Sequence, residues 1–272
     1  MNPESIRKSL QAVHPPPSDP TALRISLADA LLQARSLPEL EADWRMAEAA
    51  LQHPDALMLW EESLRYLGAN RLQEQRYVHE QIAHMRFTGG DPIRARQHLQ
   101  SALDCAKQTH DGLAHMRLAC RLGCSLMVAG LPQQARPLLE TALHTATEHS
   151  DTLTALGCST MLAGLCLDVD ALDEAAVHGR RTMQLGAQRG NWIAVADGCI
   201  TQSICLMHQQ RHGEALRCVL DGVEQLQHVH ATAALNLLRA QLVLLRTTIG
   251  EDEFDAQLSQ LRPTTRAIAA EE

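Results

Sequence analysis

Apolar and small residues recur four apart, with polar residues between them, over much of the chain. Ala95, Leu99 and Leu103 follow this spacing, as do Ala135, Leu139 and Leu143. Residues so spaced share one face of a helix. The same face returns forty residues on at Ala175, Gly179 and Met183, and again at Ala215, Val219 and Val223. Twelve residues before each alanine stands another small residue: Ala83, Gly123, Ala163 or Ser203. Two small positions at fixed spacing predict paired helices that approach closely, each filling the other's gap with leucine or valine. Five residues before each alanine come Gly90, Gly130, Asp170 and Gln210, predicted as turns because glycine ends helices at positive φ. Asp91-Pro92 then reads as a cap and first-turn proline, with Pro132 in the same first-turn role. Runs of β-branched and aromatic residues that mark strands are absent, so the expected fold class is all-α.

These small, turn and alanine positions resemble the tetratricopeptide repeat. The match runs through Ala83/Gly90/Ala95, Gly123/Gly130/Ala135, Ala163/Asp170/Ala175 and Ser203/Gln210/Ala215. The usual repeat is ~34 residues long. The longer form here is similar to repeats of MalT-like and LuxR-type ATPase regulators and of some diguanylate cyclases. Its extra residues fall in "AKQTHDG", "ATEHSDT" and "GAQRGNW". The aromatic usual early in the first helix is replaced by His79, Ala119, Ser159 and Cys199. The resemblance implies an α-solenoid of antiparallel helix pairs wound as a right-handed superhelix, with repeats at 76–115, 116–155, 156–195 and 196–235. Residues 236–272 then form a degenerate fifth repeat, cap and tail. Residues 21–75 are expected to be diverged N-terminal helices, with Ala56, Trp60 and Leu64 in helical spacing and Trp44 where a small residue belongs. Residues 1–20, with Pro15-Pro16-Pro17, are expected to be a flexible tail.

Composition narrows the function classes. The net charge of −8 opposes a nucleic-acid module, which needs a basic stripe against phosphates. The first twenty residues lack the apolar core of a secretory signal. The most apolar stretch, "AALNLLRAQLVLLRTTI", is interrupted by Arg239 and Arg246, which opposes a membrane span. The expected location is cytoplasmic, with the eight cysteines reduced.

In the repeat family the first helix of each pair lines a concave face. Carried onto this chain, that face would be formed by Tyr77, Glu80, His84, Phe87 and Thr88, then by Arg117, Cys120, Cys124, Met127 and Val128. It continues through Gly157, Thr160, Gly164, Leu167 and Asp168 to Asp197, Ile200, Ile204, Met207 and His208. The Lys and Asn pairs with which chaperone-binding relatives clamp a terminal carboxylate are missing. The expected groove is instead apolar, with Met127, Leu167, Ile204 and Met207 as soft contacts for an amphipathic helix or extended segment of a partner protein. Two other occupants stand beside that one: the chain's own helix at 231–248, and a second copy in a homodimer.

Catalytic signatures are not found: G-x-x-x-x-G-K-[ST], G-x-S-x-G and H-E-x-x-H are all missing. Cys120, Cys124 and nearby His115 raise a zinc site, but no C-x2-C pair exists and the spacing is a poor match. Glu251, Asp252, Glu253 and Asp255 read as an acidic helix start, not a catalytic pair. The leading expectation is a non-catalytic scaffold or adaptor with no cofactor and no metal. The alternative is a peptide- or ligand-sensing module that acts on a separately encoded signalling or transcription protein. A metalloprotein or enzyme ranks behind both.

Overall fold

A computed structural model describes residues 2–11, 23, 27–51 and 55–260. Every regular element among them is helical. The chain divides into two compact units, Met1–Leu118 and Ala119–Glu272.

Unit 1 opens with α1 (Pro3–Gln11), α2 (Ala28–Ala34), a 3-10 turn (Pro38–Leu40), α3 (Glu41–Ala50) and α4 (Ala56–Tyr66). The helix α1 departs from the expected flexible tail. Ile6 and Leu10 stand one turn apart on its inner face and are each 1% exposed, which anchors it to a core with Leu31, Leu40, Met46 and Trp60. The proline run 15–17 lies outside the described residues. Two carboxylates are buried in α3. Asp43 accepts bonds from Arg71 at 2.7 and 3.1 Å and from Arg7 at 3.3 Å. Glu48 accepts from Arg35 at 2.7 Å. Each buried charge thus has the partners it needs. Trp44 is half-buried under the guanidinium groups of Arg35 and Arg45, which explains a large residue there: it is a platform for cations, not a close-approach point.

From α5 (Leu72–Thr88) and α6 (Pro92–Gln108) onward, helices begin every twenty residues. The boundary between units falls in α7 (Gly112–Val128). Unit 2 continues with α8 (Pro132–Glu148), α9 (Thr152–Asp168), α10 (Leu172–Arg189), α11 (Trp192–His208), α12 (His212–His228), α13 (Thr232–Ile249) and α14 (Glu251–Ser259). Each pair begins four residues ahead of the frame drawn at 76. The extra residues of the long repeat extend the second helix and supply the next cap. Asp91, Asp111, Asp151 and Asn191 each accept a bond from the amide three residues on, at 3.0–3.2 Å.

The turns follow the same twenty-residue beat. A residue at positive φ closes every one: Gly90, His110, Gly130, Ser150, Asp170, Gly190, Gln210, His230 and Gly250. In most of them the next amide bonds back to a carbonyl five residues earlier, as Asp91 to Arg86 at 2.8 Å and Arg211 to Leu206 at 2.9 Å. This closure satisfies the helix's last carbonyls. The turn positions predicted at 90, 130, 170 and 210 are therefore present, three more lie between them, and two follow at 230 and 250.

The small positions pack as their spacing predicts. Ala95, Ala135, Ala175 and Ala215 are fully buried. A Cβ at Gly123 would stand 2.7 Å from Leu139 Cγ, so only glycine lets α7 and α8 approach this closely. Within unit 2 each helix from α8 to α14 packs on the next, and the first helices α9, α11 and α13 also pack in a row. Helix α13 therefore takes the next first-helix place, seating Leu235, Leu238, Leu242 and Leu245 against α11 and α12. This corrects the view of residues 231–248 as a plug for the apolar face. The acidic start of α14 is a helix N-terminus, where carboxylates face the positive end of the dipole.

Candidate functional site

Forty-residue stepping brings successive first helices side by side in unit 2, so equivalent positions form rows across α9, α11 and α13. Near the last of these rows the surface opens into a cleft of about 510 Å³. Ile204, Met207 and His208 enter it from α11, and His212 from the start of α12. Gln241, Leu244, Leu245, Thr248 and Ile249 come from α13. Its floor is apolar and its rim carries imidazole, amide and hydroxyl groups. Gln241 is 7% exposed, and its Nε2 donates to the buried Ser203 Oγ at 3.2 Å. That bond fixes the amide between the two helices. Apolar lining with a few placed polar groups is the usual make-up of a binding cleft of 300–1,000 Å³.

Three of the residues expected from sequence meet in this cleft: Ile204, Met207 and His208. Ile200 lies one turn behind, half-buried on the core of α11–α14. Asp197 is half-buried, and burial raises its carboxyl pKa. On α9, Thr160 is occupied by its own helix, its hydroxyl donating to the Leu156 carbonyl at 3.0 Å. Gly164 faces open space. Gly157 does not: a Cβ there would touch Cys120 Sγ at 3.4 Å. Leu167 packs with Cys166, Ala175 and Cys205, and Asp168 is exposed. On α7, Val128 is 78% exposed and Met127 half-buried.

Cys120 and Cys124 face inward and are joined by a third thiol, Cys158 of α9. The bond with Cys124 lowers the Cys120 pKa, but Cys158 and burial outweigh it and push it up to about 12. The Cys120 bond and burial push Cys124 upward as well. Cys120 and Cys124 are protonated thiols in an apolar seam, packed as small hydrophobes. Among the described residues no group of three His, Cys, Asp or Glu side chains is arranged to hold a metal ion.

Two of the expected residues of unit 1 are engaged elsewhere. Tyr77 meets Trp60 edge-on, with ring centroids 5.6 Å apart, and packs on the unit's core. Burial, then the charge of Glu80, pushes its pKa up to about 12. Glu80 pairs with Arg76 at 2.9 Å. His84, Phe87 and Arg117 are exposed.

The α13 wall was missed by sequence reasoning, although the signal was present. Forty residues after Thr201, Ile204 and His208 come Gln241, Leu244 and Thr248, all in the cleft. A second hollow of about 610 Å³, lined by Leu153, Trp192, Ile193 and the Ala231–Ala234 stretch, lies at the opposite ends of the same helices. It contains none of the expected residues.

No described helix is long and apolar enough to cross a membrane. No protein-family model matches the chain, and no curated protein matches it.

Proposed function

We propose that this chain is an α-solenoid of tetratricopeptide type whose role is to hold a segment of another protein without catalysis. The carrying observation is the cleft between α11 and α13, where Ile204, Met207 and Leu244 present aliphatic and thioether surface beside the fixed amide of Gln241. The occupant that fits is an amphipathic helix. Two or three apolar side chains on one face would enter the cleft, and its polar edge would meet His208, Gln241 and Thr248. The twenty-residue helical beat, the left-handed turns and the buried alanines support the repeat assignment. Binding in this reading rests on shape and apolar complementarity, so charge placed on the floor opposes it. Replacing Met207 and Leu244 together with glutamate leaves the helix content intact and abolishes retention of the partner from native extract. Full retention by the folded double variant would refute the assignment of this cleft.

A further inference from the structure

The helix pairs bring residues nineteen apart to one crossing point between first and second helix. In unit 1 the step joins His79 of α5 to His98 of α6, Nδ1 to Nδ1 at 2.9 Å. In the α9–α10 pair it falls on Ser159 and His178, whose Oγ and Nδ1 are buried without a hydrogen-bond partner. In the α11–α12 pair it falls on Cys199 and Cys218, whose thiols are hydrogen-bonded to each other. Cys218 Sγ also lies 3.9 Å from the Cys199 carbonyl oxygen. Gly222, one turn beyond Cys218, supplies the room: a Cβ there would come within 3.0 Å of Cys199 Sγ. The two cysteines differ in access, Cys199 being fully buried and Cys218 only half-buried.

We propose that Cys199 and Cys218 are a redox couple that closes to a disulfide across α11 and α12 when a hydroperoxide reaches Cys218, and reopens with a dithiol reductant. Cys218 is the attacking sulfur because it is the reachable one and because its thiolate accepts the Cys199 S–H bond, which lowers its pKa. The sulfur attacks the terminal peroxide oxygen. The O–O bond breaks, giving an alcohol (or water from hydrogen peroxide) and a sulfenic acid on Cys218. Cys199 sulfur then displaces the hydroxyl, which leaves as water with the Cys199 proton. Two thiols have lost two electrons and the peroxide has gained them. Because residue 222 carries no Cβ, the Cys199 sulfur already sits against α12, and closure brings the two sulfurs to the S–S bond length of about 2.05 Å. The bond would staple α11, which carries one wall of the cleft, to α12.

The experiment treats the full chain with hydrogen peroxide, alkylates the remaining thiols under denaturing conditions, and maps tryptic peptides by tandem mass spectrometry. The expected result is the loss of two alkylatable thiols out of eight, with Cys199 linked to Cys218. Dithiothreitol restores both. Cys205 shares the Cys199 tryptic peptide, so fragment ions must place the link at Cys199. In the variant Cys199→Ser, Cys218 accumulates sulfenic acid that dimedone traps, and in Cys218→Ser the oxidation of Cys199 is lost. The wild-type map alone decides the matter if a variant fails to fold. A link between any other pair, or Cys218 over-oxidised to sulfinic acid with Cys199 still alkylated, would overturn the proposal.

Discussion

The close approach of α7 and α8 yields a change of sign that can be measured. An alanine at Gly123 would place its Cβ 2.7 Å from Leu139 Cγ and 2.8 Å from Cδ2. Carbon atoms pack best at about 3.5–4.0 Å, so the overlap is roughly 1 Å. Leu139 is fully buried and cannot swing into solvent. Overpacking of this kind costs about 1–3 kcal/mol. Against it stands the helix preference of alanine over glycine, about 1 kcal/mol in an interior position. Gly123→Ala in the wild-type background is therefore expected to destabilise by up to about 2 kcal/mol. Leu139→Ala removes the obstructing atoms at a cost of about 2–5 kcal/mol. In that background Gly123→Ala meets no clash and partly fills the void, and it stabilises by about 1 kcal/mol. Urea unfolding of the two single variants and the double variant gives the cycle. Additive effects, or a stabilising Gly123→Ala in the wild type, would refute the close-packing argument.

Three further outcomes are expected. Gln210 sits at φ 60°, a left-handed conformation that glycine adopts without steric cost, so Gln210→Gly raises stability by roughly 0.5–1 kcal/mol, read as a higher urea midpoint. Asp43→Ala leaves Arg7 and Arg71 without their shared buried acceptor. It lowers stability by about 1.5–3 kcal/mol, which thermal unfolding checks, whereas exposed Asp29→Ala changes it little. His79 is held neutral in the fold, with burial first and then the charge of His98 pushing its pKa from 6.5 down to about 4. The unfolded chain therefore takes up this proton more readily. Stability from this group is complete above pH 6.5 and is lost as pH falls from 6.5 toward 4. The full shift corresponds to an upper limit of about 3 kcal/mol, which screening of a half-buried ring reduces to roughly 1–2 kcal/mol. Urea unfolding at pH 7.5 and 4.5 should show that loss in the wild type and a smaller one in His79→Gln.

Local features were the legible ones. The four-residue spacing of Ala135, Leu139 and Leu143 marks a buried helix face, and the structure buries all three. Gly90 and Gly130 marked turns because glycine tolerates positive φ cheaply. At His110, Ser150 and His230 the end of a helix was legible but the positive φ was not, since none of the three is glycine. The α1 helix carries only two buried residues, too few for a periodic signal, and a proline run follows it. Asp43 finds its arginines 36 and 28 residues away, a pairing that no local pattern encodes. The α13 wall of the cleft was overlooked for another reason. The small-residue frame fades after residue 235, although position-by-position stepping from Thr201, Ile204 and His208 still lands on the residues that complete the site.

The α11–α13 cleft is proposed to receive a protein segment. Its most direct test is a photo-reactive benzoylphenylalanine placed at Met207, with the exposed Gln225 of α12 as the control position, irradiated in native extract. The expected result is a discrete polypeptide adduct at residue 207 that is missing at 225 and that disappears when Leu244 is changed to glutamate. The same adducts at both positions, or an adduct at 207 that persists with Leu244→Glu, would contradict it.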